Sequence, residues 1–306
     1  MRALCLSENL PPEVIQSIRV SLNFHEFSTE GIASESELAA YRGEVPACIF
    51  AHAENLNAIQ IARQKFPKAY IGGILLRPLR RVDPEVVTKL DINAIIASDH
   101  KRVDLSHLLA ILSRVKNPNT PDLSGYIFNT ANPWLQFEIS NHENKESCLT
   151  QIRHRIAALG QDFGAQKFQW FANNLSMVCD EMLLTAISFS LGGTSGLGDR
   201  YELTSNRNVA CSLAFDGRLI IRVQDKVGKL TRKDLFQVLT RPAYQDNAQP
   251  FDHVPWVGLR FAYEHSDLMV IRVAEGRFTD YMTMLSVDGF PSMRKSRLRS
   301  LHHFQV

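Results

Sequence analysis

The chain has 306 residues, a formal net charge of +2 and 45% hydrophobic residues. That length suits two domains with separate cores, the apolar fraction excludes a disordered or fibrous chain, and the near-balanced charge gives no ground to expect nucleic acid as a partner. The five cysteines (Cys5, Cys48, Cys148, Cys179 and Cys211) form no CxxC pair and have no metal-ligand spacing with histidine. They read as reduced core thiols of a cytosolic protein. Residues 1–6 are too short for a signal-peptide apolar region, and no apolar run reaches the roughly 20 residues that span a bilayer. A soluble, cytoplasmic protein is expected.

In chain order, short apolar runs alternate with helical patterns over the first 115 or so residues. Strands are predicted at 2–6, 24–27, 47–51, 69–76 and 92–97. Helices are predicted at 11–22, 34–42, 55–66 and 103–115, with Pro11 and Pro12 at a helix start and Ser34 and Glu37 in capping-box spacing. Apolar strands flanked by helices imply a parallel sheet covered on both faces.

This pattern resembles the receiver domain of bacterial response regulators, a flavodoxin-like α/β fold with its site at the carboxyl ends of the strands. The resemblance implies an acidic pair after the first strand, a phosphoacceptor Asp after the third, a Ser or Thr after the fourth and a Lys after the fifth. This chain has Ser7 and Glu8, then Ala51 and His52, then Leu75, Leu76 and Arg77, then Ser98, Asp99 and His100 with Lys101 displaced. Without paired carboxylates a hard divalent cation loses its charged ligands, and there is no aspartate to phosphorylate. Residues 1–116 are therefore read as a pseudo-receiver that serves docking or dimerisation, with His52 a hydrogen-bonded strand-end histidine.

Residues 117–131 are polar, with Pro118, Pro121 and Gly125, and read as a linker. A second organisation occupies 132–290: a strand at 134–139, helices at 145–159 and 168–189, a glycine-rich loop at 192–198, and hairpins around Asp216-Gly217 and Glu275-Gly276. A short helix is predicted at 231–239. Helices followed by paired antiparallel strands argue an α+β domain with helices on one face of a mixed sheet.

Three boxes arrive in this segment. The first is Asp180-Glu181-Met182-Leu183-Leu184-Thr185-Ala186, in which Glu181 and Thr185 share a helix face. The second is Asp225-Lys226-Val227-Gly228-Lys229, directly after a strand; the third is Trp256-Val257-Gly258-Leu259. Their order resembles the GHKL ATPase fold of histidine kinases and anti-sigma-factor serine kinases, and is closer to the latter. The resemblance implies that Glu181 orients or deprotonates a water or substrate hydroxyl if the site is active. It implies that Thr185 stands where the family's magnesium-carrying Asn stands, and Asp225 where its adenine-reading Asp stands. Gly228, Gly258 and Leu259 fall in its nucleotide-binding glycine boxes, and Thr279 near the adenine site. The chain departs from the family at Val227, Lys229 and Trp256, each where a glycine is usual. His154 lacks the acidic neighbour and following proline of a phosphate-accepting histidine.

Residues 291–306 form a basic C-terminal tail with interleaved apolar residues, read as a solvated or strand-adding terminus, with binding of an acidic partner, nucleic acid or a membrane surface as the alternative. The expected role is a signal-transduction regulator working through protein partners, with a homodimer through the first domain and no membrane span. The ATPase-like domain would carry eroded nucleotide sites for ATP or ADP, with magnesium binding weakened. An active ATP-dependent serine kinase using Glu181, or a ligand-free scaffold, are the alternatives.

Overall fold

The structure is a computed structural model that describes residues 1–76, 92–98, 105–117, 134–159, 165–192, 201–231, 235, 257–287 and 299–305. Two compact units divide the chain. One comprises Met1–Thr130 with Leu298–His302, the other Ala131–Arg297 with His303–Val306.

The first unit is α/β. Strands β1 (Arg2–Leu6), β2 (Ser28–Ile32), β3 (Cys48–His52), β4 (Tyr70–Leu75) and β5 (Ala94–Ala97) run parallel in the order β2-β1-β3-β4-β5. This is the flavodoxin-like order. Alternate strand residues serve opposite faces. On one face Ala3, Cys5 and Phe50 pack with Val14, Ile18 and Leu22 of helix α1 (Pro12–Phe24), and with Leu108, Ile111 and Leu112 of a helix at Leu105–Lys116. On the other, Leu4, Ile49 and Ile71 pack with Leu38 of α2 (Glu35–Ala40) and Ala58, Ile59 and Ala62 of α3 (Leu56–Lys65). The Leu105–Lys116 helix is α4.

Local chemistry explains the boundaries. Ser34 caps α2, its hydroxyl accepting from the Glu37 N–H at 3.3 Å. The Glu37 carboxylate returns to the Ala33 N–H, not to that of Ser34, so only half of the capping box forms. Asn55 caps α3 through the Ala58 N–H at 3.2 Å. The strand predicted at 24–27 is absent. Phe24 still belongs to α1, Glu26 turns the chain at φ +60, and the strand begins at Ser28. Its sequence, Ser-Thr-Glu-Gly-Ile, buries only Ile32. It is held by register with β1 rather than by apolar content, so hydrophobic periodicity missed it.

The end of the tail adds a strand, one of the two outcomes expected of it. Residues Ser300–Gln305 form strand β11, antiparallel to β5 with Leu301 opposite Ile95 and His302 opposite Ala94. Leu301 is fully buried, and the Ser300 hydroxyl accepts from the Ala97 N–H at 3.1 Å. This end of the expected basic tail is held by its pairing with β5 and by the burial of Leu301, since its apolar residues Leu301 and Phe304 do not alternate at strand spacing. Residues 291–298 lie outside the described residues, as do the linker from 118 to 131 and most of the helix predicted at 231–239.

The second unit carries an antiparallel sheet in the order β9-β10-β8-β7-β6, from β6 (Leu135–Ile139), β7 (Val209–Phe215), β8 (Arg218–Asp225), β9 (Leu268–Ala274) and β10 (Phe278–Ser286). Gly217 and Gly276, at φ +91 and +68, supply the two hairpin turns. Helix α5 (His142–Ala158) starts three residues before the predicted 145, because Asn141 caps it through the Asn144 N–H at 2.9 Å. Helix α6 (Ala165–Ser190) runs 26 residues. Phe171, Leu175, Val178, Met182 and Ala186 recur along it every three or four residues, and all are buried. Helices α5 and α6 pack together, α6 lies against β7 and β8, and α7 (Val257–Glu264) packs on α6.

Candidate functional site

Asp225 is the last residue of β8 and is fully buried. Its Oδ1 accepts from the backbone N–H of Val227 at 2.8 Å, Gly228 at 3.0 Å and Thr279 at 3.1 Å. Its Oδ2 accepts from the Tyr281 hydroxyl at 3.2 Å. The side chain thus closes the turn after β8 and ties it to β10. Burial pushes the Asp225 carboxyl above its ordinary range, and these hydrogen bonds, led by Gly228 and Val227, pull it back in part. Burial, and then the Asp225 charge, push the Tyr281 phenol well above its ordinary value.

Gly228 has φ +62, and a Cβ built there would run into the carbonyl oxygen of Ala274, with the Phe278 nitrogen 2.9 Å away. The turn therefore lies directly on the β9–β10 hairpin, and the Gly228 carbonyl accepts from the Gly276 N–H at 3.3 Å. Beside it opens a cavity of about 540 Å³ lined by Val227, Lys229, Thr231, Val273, Glu275 and His303, among others. Among the described residues, Asp225 does not line it.

Glu181 and Thr185 share one turn of α6. The Thr185 hydroxyl donates to the Glu181 carbonyl at 2.9 Å, and Thr185 is buried. That back-bond turns the hydroxyl toward its own helix. The half-buried Glu181 carboxyl is raised by desolvation and by the Asp180 charge, with Lys145 opposing. Lys145 of α5 is itself buried against Asp180 at 2.6 Å and Glu146 at 3.1 Å. Gly258 sits directly over Glu181: a Cβ there would stand 2.6 Å from Glu181 Oε2 and 2.9 Å from the Glu181 carbonyl. This glycine lets α7 approach α6 closely. Leu259 is buried. Trp256 and the 193–200 part of the glycine-rich loop lie outside the described residues.

The structure thus brings Asp225, Gly228 and Thr279 together, and Glu181, Thr185 and Gly258 together. The first group includes Thr279 of β10, and further along that strand the Thr283 hydroxyl contacts Met182 of α6 at 3.6 Å. Sequence reasoning missed Tyr281, whose role as a donor to Asp225 depends on strand register alone. It also missed the convergence of Cys148, Cys179 and Cys211, whose sulfurs lie within 4.8 Å of one another although the residues come from α5, α6 and β7.

At the receiver-like positions of the first unit, the Glu8 carboxylate accepts from the Glu35 N–H at 3.0 Å at the start of α2. The Ser7 hydroxyl donates to the Ile32 carbonyl at 3.2 Å. His52 Nδ1 accepts from the Glu54 N–H at 3.2 Å. Asp99, His100 and Lys101 lie outside the described residues, as does Arg77.

No family model matches the sequence, and no curated protein matches it. A solved chain of the Salmonella typhimurium response regulator RcsB, from work titled for its conformational dynamism in DNA interaction, is similar at 13% identity and a TM-score of 0.32. The alignment covers 53% of this chain and 82% of that one. A likeness at that score establishes neither a shared fold nor a shared role. Among the described residues, no helix is long and apolar enough to cross a membrane.

Proposed function

We propose that the chain is a signal-transduction regulator that acts through protein–protein contact and does not hydrolyse ATP. In this reading residues 1–116 are a receiver-like domain without a phosphoacceptor aspartate, and 132–290 an ATPase-like domain whose nucleotide residues have become structural. One observation carries it. The Asp225 carboxylate, which would read adenine, already accepts four hydrogen bonds from the protein itself. Thr185 and Gly258 support the same reading, one bonded back to its helix and the other spent on helix packing. Partners are signalling proteins, with a homodimer through the receiver-like domain, in the cytoplasm.

The alternative is an ATP-binding serine kinase in which Glu181 is the base. The cavity beside Gly228, with the exposed Lys229 on its wall, favours it. Thermal unfolding with ATP or ADP, with magnesium or chelator, separates the two. A ligand that binds only the folded state stabilises it by about 2.7 kcal/mol at 100 times its dissociation constant. The regulator reading expects no shift at millimolar nucleotide. A saturable shift that is lost in Lys229→Glu, a surface change that spares the Asp225 brace, would overturn it in favour of the kinase.

A further inference from the structure

Cys148, Cys179 and Cys211 are buried side by side between helices α5 and α6 and strand β7. The Cys179 and Cys211 sulfurs are 3.6 Å apart, and all three lie within 4.8 Å of one another. A metal ion bonded at about 2.3 Å to three thiolates in one plane spaces its sulfurs about 4 Å apart. The cluster is therefore already near the dimensions of a trigonal site. Among the described residues, no fourth histidine, cysteine or carboxylate atom joins the group.

These features select the ion. A structural zinc site is nearly always tetrahedral with four protein ligands. Hard cations seek carboxylate and carbonyl oxygens, which the cluster lacks. Soft thiolate ligands favour Cu(I), a monovalent ion that accepts three-coordination. We propose that Cys148, Cys179 and Cys211 form a buried three-thiolate site for Cu(I).

Binding exchanges S–H for S–Cu bonds. The displaced protons leave to solvent, and copper stays in the monovalent state throughout. The site also touches the centre of the second unit. Cys211 pairs across the sheet with Val223, two residues before Asp225, and Cys179 stands two residues before Glu181. A bound ion would lock α5, α6 and β7 together.

The test uses the full chain, reduced with a phosphine and kept anaerobic, competing for Cu(I) against a bicinchoninate indicator. One ion bound per chain, three sulfur neighbours by X-ray absorption and a raised melting temperature are expected. Affinity should fall at least 100-fold in Cys148→Ala, Cys179→Ala and Cys211→Ala, and be unchanged in Cys5→Ala and Cys48→Ala. Failure of the folded wild-type chain to compete for Cu(I) would overturn the proposal, and so would full affinity in the triple variant. The wild-type titration decides even where an alanine variant does not fold.

Discussion

Asp225 accepts from three backbone N–H groups and one phenol in a site closed to water. Asp225→Ala strands four buried donors at about 1–3 kcal/mol each. With partial relaxation, denaturant unfolding should show a loss of at least about 3 kcal/mol. Asp225→Asn behaves differently. The amide oxygen takes over the three N–H groups and one amide N–H donates to the Tyr281 oxygen, while the other is buried unpaired, so stability should fall by about 1–3 kcal/mol at neutral pH, less than in Asp225→Ala. Its mark is on the pH profile. Burial raises the Asp225 carboxyl, so the folded chain holds that proton more tightly than the unfolded chain. The stability this adds is complete below the unfolded aspartate value of about 3.9 and is lost as pH rises through the folded value. Asp225→Asn should remove that decline, as read from unfolding curves taken upward from about pH 4. Gly228→Ala joins a left-handed φ to a collision with the Ala274 carbonyl. It should cost about 2 kcal/mol or more.

At the scale of elements, α6 is the organiser of the second unit, and Gly258 is where α7 rests on it. Gly258→Ala should push α7 outward and cost about 1–3 kcal/mol, with faster hydrogen exchange across 257–264 as the check. Elements with strong periodicity were legible from sequence alone: the apolar stripe of α6, the Asp216-Gly217 hairpin and the buried strands of the first unit. The polar edge strand β2 was not, since its position comes from pairing with β1 rather than from what it buries. Site residues divide the same way. Asp225 and Gly228 could be picked out because a short motif after a strand carries them. The use of the Asp225 carboxylate could not, because two of its donors, Thr279 and Tyr281, come from a strand more than fifty residues later. The cysteine cluster was illegible for the same reason. Its members sit on three elements far apart in sequence, and only packing brings the sulfurs together.

At the scale of the molecule, the start of strand β11 belongs to the first unit. A chain ended at residue 297 loses the pairing of Leu301 and His302 with β5 and the burial of Leu301. That burial alone is worth about 1.5–3 kcal/mol. Hydrogen exchange should quicken at Ile95 and Ala97, and the bare edge of β5 should favour association at high concentration, measurable by sedimentation. Protection at those amides equal to that of the full chain would refute this role for β11.

The same strand sets an order of events during synthesis. The first unit's α/β core emerges from the ribosome early, but β5 lacks its β11 partner until residue 302 has been made. At about 5–20 residues per second, the roughly 200 residues between β5 and β11 take about 10–40 s. Through that interval the nascent chain carries an open strand edge. The part made first is therefore finished only after nearly all of the second unit has been translated, and that window is when a chaperone would be needed.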